Sequence, residues 1–140
     1  MGRGISSATA QEGRLKLLEI AYVPSIAYPA GESKHGPISL VEPGFPVVFI
    51  CPKDETRKTI MGNIMEMKAR GASVIAMLEE GDEETKRAVD DYVEVPRGFP
   101  EVLSPIPYVI PLQLFAYYVA VERNCDPDMP RNLAKSVTVK

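Results

Sequence analysis

Hydrophobic positions along the chain follow two patterns. Phe45-Pro46-Val47-Val48-Phe49-Ile50-Cys51 and the run from Ala72 to Leu78 are apolar without alternation. Strands of this kind are buried on both faces, as in a parallel sheet. Asp91 to Val95 reads as a third strand. Between the first two runs the period becomes helical. Ile60, Ile64 and Met67 share one face of a helix expected from a cap at Asp54 to Arg70, with Gly71 closing it. Asp82 to Val89 reads as a short helix. Ahead of the first strand, Thr9-Ala10-Gln11-Glu12 has capping-box spacing, which predicts a helix from Ser7 or Thr9 to Tyr22, stopped by Pro24. After the third strand, Ser104 and Pro105 open a long apolar helix that Pro111 is expected to kink. Residues 23–44 are rich in Pro and Gly and read as an ordered, irregular segment with a short helix inside.

Strand–helix–strand–helix–strand implies an α/β fold: a parallel sheet with helices on both faces and right-handed crossovers. Residues 1–140 read as one domain with a polar tail from about 124. Only Met1-Gly2-Arg3-Gly4 precedes the first helix, whereas a doubly wound unit starts with a strand leading into such a turn. The expectation is a sheet without its first strand, or an edge left for something else to cover.

Composition narrows the classes. Of 140 residues, 45% are hydrophobic and 25% charged, which excludes disorder, collagen and a disulfide scaffold. A net charge of −3 gives no general attraction to nucleic acid or to anionic membranes. Cys51 and Cys125 are too few for a disulfide framework, and no apolar leader opens the chain, so the expected location is a reducing cytoplasm. A lone His and no Cys-x-x-Cys predict neither a metal site nor a metal cofactor. Val102 to Val121 is uncharged but interrupted by Ser104, Gln113 and three prolines, and reads as a buried or interface helix rather than a membrane span.

Few residues offer chemistry. Glu12, Lys16 and Glu19 lie on one face of the first helix. They read either as a solvated stripe or as a carboxylate base with a lysine at a pocket edge; an adjacent lysine favours the ionised form and partial burial raises proton affinity. His35, in Gly31-Glu32-Ser33-Lys34-His35-Gly36-Pro37, is the only histidine and so the only side chain titrating near neutrality when unperturbed. It reads as an exposed loop residue or as a general acid/base on a stiffened loop. Lys135 reads as a solvated tail lysine or, with a lowered pKa, as an imine-forming amine. Gly2-Arg3-Gly4-Ile5-Ser6-Ser7 could cradle an anion, a weak signal by itself. Cys51 reads as core, and the Tyr108, Phe115, Tyr117, Tyr118 group as packing or interface.

Gly31-Glu32-Ser33-Lys34-His35-Gly36-Pro37 resembles the G-E-L-K-H-G-P loop of the glucosamine-6-phosphate synthases. Leu15-Lys16-Leu17-Leu18-Glu19-Ile20 resembles their L-K-L-K-E-I helix. Pro111-Leu112-Gln113-Leu114 and the tail from Asp126 to Val139 resemble their last helix and C-terminal tail. The resemblance runs from Gly2 to the end. It implies the second of two sugar-isomerase (SIS) lobes, each a flavodoxin-like three-layer αβα sandwich, entered just after the first strand. It also implies roles. Glu19 would move a proton between sugar carbons 1 and 2, with Lys16 beside it. His35 would open the sugar ring, reaching a neighbouring subunit's site. Lys135 would form the imine, with Ala134 at the substrate. A phosphosugar substrate, a homodimer, and a separate first lobe or glutaminase chain would be the partners, with no nucleic acid or membrane. The pattern departs at Leu18, where the family has Lys, at Ile26, where it has Glu, and at Lys140, where Glu is usual. A non-catalytic phosphosugar-binding or assembly lobe is the alternative that the same fold would serve.

Overall fold

The computed structural model describes residues 1–133. Strands β1 (Pro46–Cys51), β2 (Ser73–Glu79) and β3 (Asp91–Val95) form one parallel sheet in the order β1-β2-β3. Val48 stands opposite Ile75, and Met77 opposite Val93. Helices α1 (Ser6–Ile20) and α4 (Pro105–Glu122) cover one face; α2 (Arg57–Lys68) and α3 (Glu83–Ala88) cover the other.

The unbroken apolar runs are explained by this layering. Phe49 and Cys51 of β1, with Val74, Ala76 and Leu78 of β2, meet Ile60, Ile64 and Met67 of α2. Ile50 and Met77 point the other way, to Ala10 of α1 and to Tyr108 and Leu112 of α4. Each large aliphatic side chain buried this way is worth about 1.5–3 kcal/mol before entropy is counted. β3 is an edge strand with only Val95 buried. Lys86 reaches its outer residues: its Nζ lies 5.1 Å from the Tyr92 ring centroid and 2.7 Å from Glu94 Oε1. α1 and α4 touch at Gly13, where a Cβ would stand 3.0–3.2 Å from side-chain atoms of Leu112. Glycine there lets the two helices close up.

Helix starts differ from the expectations. α1 begins at Ser6, and Thr9 lies inside it, buried, with its hydroxyl unpartnered. The capping box is not used because the chain is already wound ahead of Thr9: Ser6 N–H donates to Arg3 C=O at 3.0 Å and Ser7 N–H to Gly4 C=O at 3.1 Å. Asp54 works a turn before α2, accepting from the Thr56 N–H at 2.8 Å and hydroxyl at 2.6 Å. Asp82 does cap α3, accepting from Thr85 N–H at 3.2 Å. The irregular segment holds two 3-10 turns, Ala30–His35 and Pro37–Leu40. α4 continues through Pro111, which is buried.

The outer edge of β1 is partly occupied. The Met1 amino group donates to Val48 C=O, and Ile50 N–H donates to Met1 C=O at 2.9 Å. Met1 thus pairs with β1 as a parallel strand would. The rest of that edge borders an apolar cavity of about 560 Å³ between β1, α1 and the 23–28 segment. Ile106, Ile110, Leu114 and Tyr118 of α4 are exposed. Glu101–Glu122 is long and apolar enough to cross a membrane by length and composition, with a hydropathy of 1.4.

Candidate active site

One ion-pair cluster sits beside an open hollow, at the C-terminal half of α1. Helical spacing stacks Glu12, Lys16 and Glu19 on one face. Lys16 Nζ lies 2.6 Å from Glu19 Oε2 and 3.4 Å from Glu12 Oε1. The side chains of Lys16 and Glu19 are 29% and 28% exposed, so Glu19 is held yet reachable. The hydrogen bond to Glu19 holds the Lys16 ammonium above its ordinary value, with both carboxylates adding to it against a partial loss of hydration. Lys16 therefore stays a cation at neutral pH, suited to orienting Glu19 and unsuited to attacking a carbonyl.

Glu19 borders a hollow of about 440 Å³ walled by Leu18, Tyr22, Arg131, Asn132 and Leu133. Two distant parts of the chain build it. α1 ends just before Tyr22, which takes φ 54°, and Val23 N–H folds back to Leu17 C=O at 3.1 Å. From the other side, Asp126 turns the tail by accepting from Asp128 N–H at 2.9 Å and Met129 N–H at 3.2 Å. The tail then reaches Tyr22: Arg131 N–H donates to the Tyr22 hydroxyl at 2.8 Å, and the Arg131 guanidinium lies 4.0 Å from the ring centroid. Ala134 and Lys135 lie outside the described residues.

His35 is not part of the Glu19 hollow. It ends the first 3-10 turn, exposed, followed by Gly36 at φ 137°. Its loop is pinned to α2 by Lys34, whose Nζ is 2.6 Å from Glu66 Oε1; that bond holds the Glu66 carboxyl below its ordinary value. Cys51 is fully buried and burial pushes its thiol up to about 12, which agrees with a packing role. Among the described residues no group of three or more His, Cys, Asp and Glu is placed to hold a metal ion.

Sequence reading missed Tyr22 and Arg131. They stand 109 residues apart, and no spacing rule joins them. The one local signal was a tyrosine at the end of a helix, where glycine is the usual residue.

The geometry can be set beside known proteins. The SIS domain model matches residues 1–123. The chain belongs to the SIS family. This SIS lobe is 52% identical over 140 residues to the glutamine–fructose-6-phosphate aminotransferase (isomerizing) of Pyrobaculum aerophilum, and 53% identical to that of Thermococcus kodakarensis. All of this chain is matched in each case, against 23% of the relative, in its C-terminal part. Among solved structures, the C-terminal domain of glucosamine-fructose-6-phosphate aminotransferase from Francisella tularensis superimposes with a TM-score of 0.82 at 37% identity, over 91% of this chain and 36% of that one. A phosphosugar isomerase structure from Silicibacter pomeroyi gives 0.74 at 29% identity, over 91% of this chain and 37% of that one. The three-layer α/β architecture of the SIS lobe is shared with both.

Proposed function

We propose that this lobe is the second sugar-isomerase lobe of an enzyme that converts fructose 6-phosphate and ammonia, released from glutamine, into glucosamine 6-phosphate in the cytoplasm. The observation that carries the reading is Glu19, oriented by Lys16 at 2.6 Å and opening on a hollow walled by the tail that leads to Lys135. The roles follow the chemistry. His35 opens the sugar ring. The Lys135 amine condenses with the C2 carbonyl, releasing water and forming an imine. Ammonia displaces the lysine, leaving the C2 imine. Glu19 takes a proton from C1 and returns it to C2 while the O1 proton passes to nitrogen, so C1 becomes the aldehyde and C2 carries the amine. Ala134, next to Lys135 in sequence, is assigned to substrate binding in this reading. These steps use acids, bases and an imine, with no metal or cofactor in the scheme.

A phosphate dianion needs several fixed donors, and holding it positions the reacting carbons against Glu19. The reading assigns that grip to a first lobe. A homodimer completes it, with His35 serving a neighbouring subunit and the exposed stripe of α4 as the apolar face to be covered. Leu18 in the hollow wall, where the family pattern has a cation, is the observation that favours the non-catalytic alternative.

Reconstitution tests this directly. The 140-residue chain alone should show little or no conversion of fructose 6-phosphate. Adding a separately expressed first lobe should restore product, and borohydride should trap a sugar adduct on Lys135. Product formation with no adduct at Lys135, or robust conversion by the chain alone, would overturn the assignment.

A further inference from the structure

Asn63 is an amide on the apolar face of α2. Ile60, Ile64 and Met67 share that face and are fully buried, and Asn63 itself is 4% exposed. A polar group in such a place keeps its hydrogen bonds or destabilises the fold. Both ends of the amide are used. Arg3 Nη1 donates to Asn63 Oδ1 at 3.4 Å, and Asn63 Nδ2 donates to Glu66 Oε2 at 3.3 Å. A guanidinium only donates and a carboxylate only accepts, so the amide between them has one orientation. Glu66 passes the contact on: its other oxygen, Oε1, lies 2.6 Å from Nζ of Lys34, the residue before His35. The relay from Arg3 through Asn63 and Glu66 to Lys34 joins the turn ahead of α1 to the end of the 30–35 turn.

The two ends of that turn are held differently. Its start is packed: Ala30 lies in the core, its N–H donates to Gly2 C=O at 2.8 Å, and at Gly31 a Cβ would stand 2.7 Å from Arg3 Nη1. Ser33 is buried, but its hydroxyl has no partner among the described residues and adds no directed bond. At the far end His35 is exposed, and Gly36 follows at φ 137° with nothing within 4 Å of where a Cβ would stand. Lys34 is the tether there, and its side chain is 57% exposed. An exposed ion pair orders a long side chain poorly unless its partner is already fixed. Glu66 is fixed by Asn63.

We propose that Asn63 is a positioning residue for His35: it presets the Glu66 carboxylate that takes Lys34, and so fixes the end of the turn that carries His35. This rests on the ring-opening role proposed above for His35. A general acid/base acts only where it is held against the proton it moves, and a loose turn end would spread it over many positions.

Exchanging polarity along the relay separates this role from a structural one. Asn63→Asp keeps an acceptor for Arg3 but sets a carboxylate against Glu66, so that contact is lost. Adding Glu66→Gln restores it in the opposite sense: the new side-chain amide donates to the carboxylate at position 63, and its oxygen takes Lys34. Asn63→Leu suits the apolar face, removes both contacts and serves if the charged variant fails to fold. Backbone amide relaxation in the 140-residue chain reads the turn without substrate. The order parameter at His35 should be about 0.85 in the unsubstituted chain, fall below about 0.6 in Asn63→Asp and Asn63→Leu, and recover in the double variant. An unchanged value in both single variants, or no recovery in the double variant, would overturn the relay. The second readout is turnover of fructose 6-phosphate by the chain reconstituted with a first lobe. It should fall about tenfold or more in Asn63→Asp with KM little changed, and return in the double variant. Lost order with full turnover, where His35→Ala is inactive, would overturn the positioning role. Full turnover in His35→Ala would instead remove His35 from the reaction, a failure of the proposed function that leaves the relay standing.

Discussion

Two polar clusters of this molecule use the same residue types and are built for opposite ends. One joins Arg57 of α2 to Asp82, Thr85 and Glu84 around α3. The other is Glu12, Lys16 and Glu19 on α1. In the first, the Asp82 side chain is 1% exposed and every oxygen has a partner: Arg57 Nε at 3.1 Å and Nη2, the Thr85 hydroxyl at 2.7 Å and the Thr85 N–H at 3.2 Å. Burial alone would raise the Asp82 carboxyl; the bonds from Thr85 and Arg57 outweigh it and hold the group below its ordinary value. Such a group is locked and has nothing left to offer a substrate. In the second, Glu19 has one partner at hydrogen-bond distance and a face open to a hollow. The contrast teaches that the more tightly held charge is the structural one, and that access separates a carboxylate free to meet a ligand from one that holds helices.

Substitutions sharpen the contrast. The largest stability effect should come from Asp82→Ala. It leaves Arg57 without its main partner and α3 without its cap, and chemical denaturation should show a loss of about 3 kcal/mol. A loss under 1 kcal/mol would place the two clusters in the same class. Glu19→Gln in the reconstituted enzyme should behave the other way round. Stability should change by less than about 1 kcal/mol, while turnover falls about a hundredfold or more with little change in binding. Solvent-hydrogen exchange at the substrate carbon that stays near normal in this variant would remove Glu19 from the proton transfer. Glu12→Gln is the smallest test. Its oxygen is 3.4 Å from Lys16 on a half-exposed helix face, and both stability and turnover should move little, by about 0.5 kcal/mol or less. A large effect there would mean that Lys16 needs both carboxylates to orient Glu19.

The sheet was readable because it is buried on both sides. An unbroken run such as Val47 to Cys51 has few other readings, and the helical period of Ile60, Ile64 and Met67 marks the face that covers it. Helix starts were less readable because several mechanisms compete to begin a helix. Thr9 and Glu12 had the right spacing, yet the turn at Arg3–Ser7 began α1 first. The candidate site divided along the same line. Glu12, Lys16 and Glu19 are local on one helix, and spacing alone placed them together. The hollow that gives Glu19 an open side is made by a contact between Tyr22 and Arg131, and contacts between distant residues leave no period in a single sequence.

The placement of Met1 ties folding to proton release. Its amino group is buried against β1, and burial pushes the amine down from 8.0 to about 6. As a free terminus, the unfolded chain therefore binds a proton in a range where the folded chain has released it. Folding releases that proton between pH 6 and 8, so stability climbs as pH rises through this window; the penalty is complete below pH 6 and gone above pH 8. Acetylating the amine, or joining it to a preceding residue, should flatten that slope in denaturation curves taken across the range. An unchanged slope after acetylation would show that other groups carry the linkage. The Met1 nitrogen thus meets β1 as a strand neighbour does.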